Sequence, residues 1–114
     1  MQRDDSAFLL DMLLAARDAV RFASEVTQRQ FEESRLRQNA IIKAVEIVGE
    51  AASRVSEQTR KAHPEIPWPK IIGMRNRLVH GYFEVNLSRV WETVQADLPR
   101  LIALIQVQVP PEEL

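Results

Sequence analysis

Ala40-Ile41-Ile42-Lys43-Ala44-Val45-Glu46-Ile47-Val48-Gly49-Glu50-Ala51-Ala52-Ser53-Arg54-Val55 is the stretch on which the fold turns. Its positions Ala40, Ile41, Ala44, Val45, Val48, Ala52 and Val55 recur every three or four residues, the period of one face of an α-helix. Phe31 extends the pattern upstream, so the spacing predicts a helix from about Thr27 or Gln30 to about Lys61. Gly49 lies inside this run and weakens it by about 1 kcal/mol relative to alanine. Two accounts of it stand side by side: a tolerated weak spot, or a place where another helix comes close. Glu46 and Glu50, one turn apart, read first as a polar helix face and second as flanks of a site.

The same period governs the rest of the chain. Phe8, Leu9, Met12, Leu13, Ala16, Ala19, Val20 and Ala23 form one stripe, predicting a first helix from about Asp5 to about Glu25. Asp4 or Asp5 suits its N-cap, and both suit the positive end of its dipole. His63-Pro64-Glu65-Ile66-Pro67-Trp68-Pro69 cannot continue a helix and reads as a rigid linker. Pro69 fits the first turn of a short third helix ending near Val79. Gly81 is a plausible residue for the position just past its C-cap. A turn through Phe83-Glu84-Val85 leads to Asn86, a good N-cap for a fourth helix running to about Val107. Pro99 falls within that helix and should remove one hydrogen bond and bend the axis. The expected domain covers residues 1–109, with 110–114 a frayed tail. Four helices with short connections predict an all-α antiparallel four-helix bundle. The short third helix leaves the bundle uneven, which favours a homodimer.

Composition narrows the function classes. The chain has 114 residues, 46% of them apolar, enough for one domain with its own core. It has no cysteine, which excludes disulfides, thiolate nucleophiles and cysteine-ligated zinc. No signal-peptide pattern and no run of about 18 apolar residues occurs, so a cytoplasmic location without membrane contact is expected. The net charge of −1 argues against coating nucleic acid by bulk electrostatics. An RNA-directed enzyme needs a local basic site instead, and Lys70, Arg75, Arg77 and Arg89 lie close enough in sequence to build one.

The chemistry concentrates in Arg75-Asn76-Arg77-Leu78-Val79-His80-Gly81-Tyr82. Histidine moves protons near neutral pH, and arginine grips a phosphate through paired hydrogen bonds. Together they suit an RNA phosphodiester: a base for the 2′-hydroxyl and a cation for the charge that builds on phosphorus. Positions 75 and 80 differ by about 140° around a straight helix, whereas Asn76 and His80 share a face. A two-fold axis through this region would gather two arginines and two histidines around one cleft. On residue types alone, Arg75 and His80 read as ordinary helix-end residues, the histidine favoured by the dipole. His63 reads as a linker residue, Asp4-Asp5, Glu32-Glu33 and Glu112-Glu113 as solvated carboxylates, and Trp68 and Trp91 as core anchors. No metal-ligand spacing, Walker loop or nucleophile elbow is present.

The arrangement Arg75, His80, Tyr82 resembles the R-x4-H-x-Y motif of HepT-like toxins, a branch of the HEPN superfamily. Ile47-Val48-Gly49-Glu50-Ala51 is similar to that family's glycine-glutamate segment, and Ile66-Pro67-Trp68 with Ile71-Ile72-Gly73-Met74-Arg75-Asn76 to its approach to the active site. Trp91 and Asp97-Leu98-Pro99 match its last helix. The resemblance covers nearly the whole chain. It implies a HEPN-like homodimer with both motifs facing one cleft, and a metal-independent endoribonuclease without cofactor, the toxin of a type VII toxin–antitoxin system. It implies that Arg75 stabilises the scissile phosphate, His80 serves as general acid or base, and Asn76 orients the site. Lys70 and Arg77 are then candidate further contacts to RNA phosphate. Tyr82 matches the tyrosine to which a cognate MntA-like nucleotidyltransferase antitoxin transfers AMP. The competing expectation is a non-catalytic helical dimer that binds nucleotide or docks a nucleotidyltransferase.

Overall fold

Apolar stripes at helical spacing need a partner surface, and the chain supplies it by laying two long helices together. The computed structural model describes residues 3–80 and 85–109. In it α1 spans Arg3–Ser24, α2 Gln28–Glu33, α3 Arg35–Arg54, α4 Glu57–Ala62, α5 Trp68–His80, α6 Leu87–Glu92 and α7 Leu98–Gln106. A π-helical turn, Thr93–Asp97, joins α6 to α7. No strand occurs among the described residues, and the fold is an all-α bundle. Leu9, Met12, Leu13, Ala16, Ala19 and Ala23 of α1 are buried with Ile41, Ala44, Val45, Val48 and Ala52 of α3. α5 also packs on α3, while α7 packs on α1, so α3 is the helix against which α5 is placed. The Cα extents of 42 × 28 × 19 Å make the bundle about two helix layers thick in its shortest direction.

The single helix expected between Thr27 or Gln30 and Lys61 is instead three, and serines make the breaks. Thr27 opens α2 with a capping box completed by Gln30. Ser34 then leaves helical geometry, and its hydroxyl accepts from the Arg37 N–H to start α3. The Gln38 amide donates to the freed Phe31 and Glu32 carbonyls, 3.1 Å each. At the far end Val55 turns extended and inward, and Ser56 caps α4. These caps offer the backbone alternatives that a continuous apolar period does not reveal.

Asp5 departs from expectation too. It neither caps α1 nor faces solvent; it is 2% exposed within the first turn of α1. It accepts hydrogen bonds from the Ser56 N–H at 2.9 Å, the Ser56 hydroxyl at 2.6 Å and the Thr59 hydroxyl at 2.6 Å. Burial pushes its pKa up, but the Ser56 and Thr59 hydrogen bonds outweigh burial and hold it below the usual value. One carboxylate thus ties the start of α1 to the start of α4.

The fourth helix begins where predicted, with the Asn86 side chain accepting from the Arg89 N–H at 3.0 Å. Pro99 acts just before its own position. It lacks an N–H, and its ring crowds the carbonyl four residues back. The helix answers with the wider π turn, in which the Leu98 N–H reaches the Thr93 carbonyl. The proline-rich linker is pinned by buried Ile66 and Trp68, and the Trp68 indole donates to the His63 carbonyl at 3.0 Å. No helix among the described residues is long and apolar enough to cross a membrane. The expected Gly81 cap, the turn at Phe83 and the tail 110–114 lie outside the described residues.

Asp5→Ala should cost about 2 kcal/mol, since it leaves buried donors of Ser56 and Thr59 unpaired. Asp5→Asn gives the pH test. The folded pKa lies below the unfolded value of about 3.9, so the contribution is complete above that value and is lost as pH falls through the folded pKa. The stability gap between parent and Asp5→Asn, read as urea midpoints, should hold from neutral pH to about pH 5 and shrink below about pH 4. A gap that persists undiminished to about pH 3 would exclude Asp5 as the titrating group.

Candidate functional site

The site begins with a missing side chain. A Cβ built on Gly49 would overlap the Cβ of Arg75 and stand 2.8 Å from its Cγ and 3.2 Å from the Ile71 carbonyl oxygen. Of the two accounts of Gly49 from the sequence, close helix approach is the one realised. That approach sets the Arg75 stem directly on α3, one residue from Glu50. The Arg75 Nη2 donates to Glu50 Oε2 at 2.6 Å. Its Nη1 donates to Asn76 Oδ1 at 3.2 Å, which bends the guanidinium around α5 towards the next residue. The other oxygen of Glu50 accepts from Arg54, 3.1 Å from Nε and 3.0 Å from Nη2. Glu50 therefore bridges two arginines, one exposed and one with a side chain only 29% exposed.

Glu50 does lie on a polar helix face, and that face also meets a cation from α5. The cross-helix partner was invisible because it depends on where α5 lands. The surroundings are apolar as well. Ile47, three residues before Glu50, is 39% exposed, and Val79, four residues after Arg75, is 38% exposed. Both flank the ion pair at helical spacing and leave apolar surface beside it.

The remaining candidates separate. Asn76 is exposed and joins Arg75. His80 ends α5, but its side chain, like Gly81 and Tyr82 as a whole, lies outside the described residues. Lys70 and Arg77 point to a different side of α5. Lys70 pairs with Asp97 at 3.4 Å, and Arg77 is exposed. Both line a cleft of about 640 Å³ between α5 and the α6–α7 helix, which Arg89 and Arg100 also line. Arg100 escaped the sequence reading; the neighbouring Pro99 was the available signal that the helix is remodelled there. His63 contacts Glu65 at 3.4 Å within the linker. Trp68 is buried, and the Trp91 ring packs on Phe31 with centroids 5.5 Å apart, so both tryptophans serve the core.

Comparison with known proteins gives the family. The family model described as "Ribonuclease HepT-like" matches residues 12–107. A Methanocaldococcus jannaschii protein named "Putative RNase MJ1380" is 32% identical over 106 residues, covering 93% of this chain and 97% of that protein. A Thermococcus cleftensis protein named "Probable ribonuclease HepT" is 36% identical over 101 residues, covering 89% of this chain and 92% of that protein. No solved structure matches the chain. The family model and the ribonuclease-named relatives, over most of the chain, set this all-α bundle among ribonucleases. The chain belongs to the HepT-like ribonuclease family.

Gly49→Ala tests the close approach. Alanine improves helix propensity by about 1 kcal/mol, but overpacking costs about 1–3 kcal/mol. The thermal midpoint should fall, and a midpoint above the parent's would show that α5 has room beside α3.

Proposed function

We propose that the chain is a metal-independent endoribonuclease whose working unit is a homodimer, with Arg75 and His80 of both subunits around one cleft. The observation that carries this reading is the half-buried guanidinium of Arg75, held by Glu50 and Asn76 within the R-x4-H motif. A guanidinium has five N–H donors. Two are committed to Glu50 and Asn76, so three remain for a phosphate, and the group meets its substrate already oriented.

The chemistry follows from the two side chains. His80 takes the proton of the ribose 2′-hydroxyl, and the 2′-oxygen attacks phosphorus. The bond from phosphorus to the 5′-oxygen breaks, and that oxygen receives a proton from a second imidazole, His80 of the other copy. The products are a 2′,3′-cyclic phosphate and a 5′-hydroxyl. Arg75 stabilises the charge that gathers on the phosphoryl oxygens. The dimer answers the need for both an acid and a base. Exposed Ile47 and Val79 beside the Glu50–Arg75 pair support it, because a second copy seated there would cover apolar surface and bring the two motifs together.

In the same reading the chain is the toxin of a type VII pair acting on cytoplasmic RNA, and a cognate nucleotidyltransferase antitoxin silences it by attaching AMP to Tyr82. AMP beside the cleft adds bulk and phosphate charge near Arg75 and competes with RNA for that cation.

Arg75→Ala should lower RNA cleavage about 10²–10³-fold, and His80→Ala about 10²–10⁴-fold. Both should relieve growth arrest on induction. Tyr82→Phe should keep cutting RNA, yet its intact mass should not rise when a nucleotidyltransferase is co-expressed. Retained cleavage in both Arg75→Ala and His80→Ala would refute the assignment. RNA binding without cleavage by the unmodified parent would favour the non-catalytic dimer.

A further inference from the structure

The cleft of about 640 Å³ between α5 and the α6–α7 helix has no role in the chemistry above. Its size suits a ligand, and its charges are not arranged as a solvated surface would arrange them. Arg77 on α5, Arg89 on α6 and Arg100 on α7 all line it, and all three are exposed. None makes an ion pair with a described residue; the described pairs are made by other basic side chains. Of the three carboxylates on the same cleft, Asp97 is met by Lys70 at 3.4 Å and Glu65 contacts His63 at 3.4 Å. With histidine neutral, Glu65 and Glu92 face Arg77, Arg89 and Arg100, so the described lining keeps an excess of one positive charge. In a chain of net charge −1, this is a local basic site.

A second observation marks the same wall. The π-helical turn Thr93–Asp97 borders the cleft, with Thr93 and Asp97 both among its lining residues. A π turn widens a helix at some expense in stability and is frequent where helices serve a site. Here it re-aims the backbone between Arg89 and Arg100, so that arginines from α6 and α7 serve one opening. Met74, which lines the cleft, directly precedes Arg75 on α5, so the cleft and the Glu50–Arg75 pair share that helix.

We infer that this cleft is a subsite for the phosphodiester backbone of single-stranded RNA, with Arg77, Arg89 and Arg100 holding phosphates next to the one that is cut. The inference rests on the Arg75–His80 reading and deepens it. Arg75 and His80 select the bond, and the cleft holds the flanking strand. Among the described residues that line the cleft none is aromatic, and the arginines supply charge-assisted donors that suit phosphates. The affinity it contributes is sensitive to salt and indifferent to sequence.

The test uses the full chain and a labelled single-stranded RNA. Binding is measured against salt for His80→Ala, which leaves the RNA intact, and for His80→Ala with Arg89→Gln and Arg100→Gln added. Each phosphate contact to a single strand contributes about 0.7 to the slope of log K against log salt. The added pair should therefore lower the slope by about 1.4, with thermal midpoints unchanged because both arginines are exposed. An unchanged slope, while the parent cuts RNA, would overturn the cleft and leave the Arg75–His80 site standing. The expected loss of slope in a parent that never cuts would keep the cleft and remove the catalytic reading. If the added pair instead abolishes self-association with RNA binding intact, the cleft is a protein interface and the inference fails.

Discussion

The close crossing of α5 over α3 at Gly49 is the constraint on which the site depends. A side chain at position 49 would occupy the space of the Arg75 Cβ. Because none is there, the stem of Arg75 lies on α3 and its guanidinium falls within 2.6 Å of Glu50. The crossing is stabilised from a distance by the α1–α3 core and by the buried Ile66 and Trp68, which fix where α5 starts. A packing decision in the middle of the bundle thereby sets the position of the arginine proposed to act on RNA.

The Glu50–Arg75 pair is better understood as a device for orientation than for stability. The side chains are 40% and 29% exposed, so water screens their attraction, and such pairs contribute little to folding. The pair removes rotamer freedom from a long side chain, which under the proposed function orients it before substrate arrives. Glu50 also holds Arg54, so its carboxylate is shared between two cations and leaves Arg75 with donors to spare. The Asp5 network is the counterpart with the opposite balance. Its carboxylate is almost fully buried and satisfied by three donors, and it fastens the start of α1 to the start of α4.

The sequence was most legible where a pattern is local. The stripes of α1 and α3, the proline-rich linker and the Asn86 cap all follow from spacing and residue type, and the all-α class with them. The breaks at Ser34 and Ser56 were hidden because an apolar period runs through them, and serine's preference for caps is decided by what its hydroxyl meets. Asp5 was misread because its partners lie about fifty residues away in α4. Pro99 announced a disturbance, but the form it took, a π turn, depends on packing around Thr93 and Val94, both buried. At the site, Arg75 and Asn76 were named from the motif. The place of Glu50 opposite Arg75 follows only once two helices cross, and the cleft only once three elements bring Arg77, Arg89 and Arg100 together.

Under the proposed function, Glu50 acts on RNA cleavage through Arg75. A double-mutant cycle tests it most directly: cleavage of one defined RNA by the parent, Glu50→Gln, Arg75→Lys and the double variant. Glu50→Gln should slow the parent by lowering kcat, and should change little once Arg75 is already lysine, because the group it orients is gone. Effects that simply multiply, or a Glu50→Gln variant as fast as the parent, would contradict it.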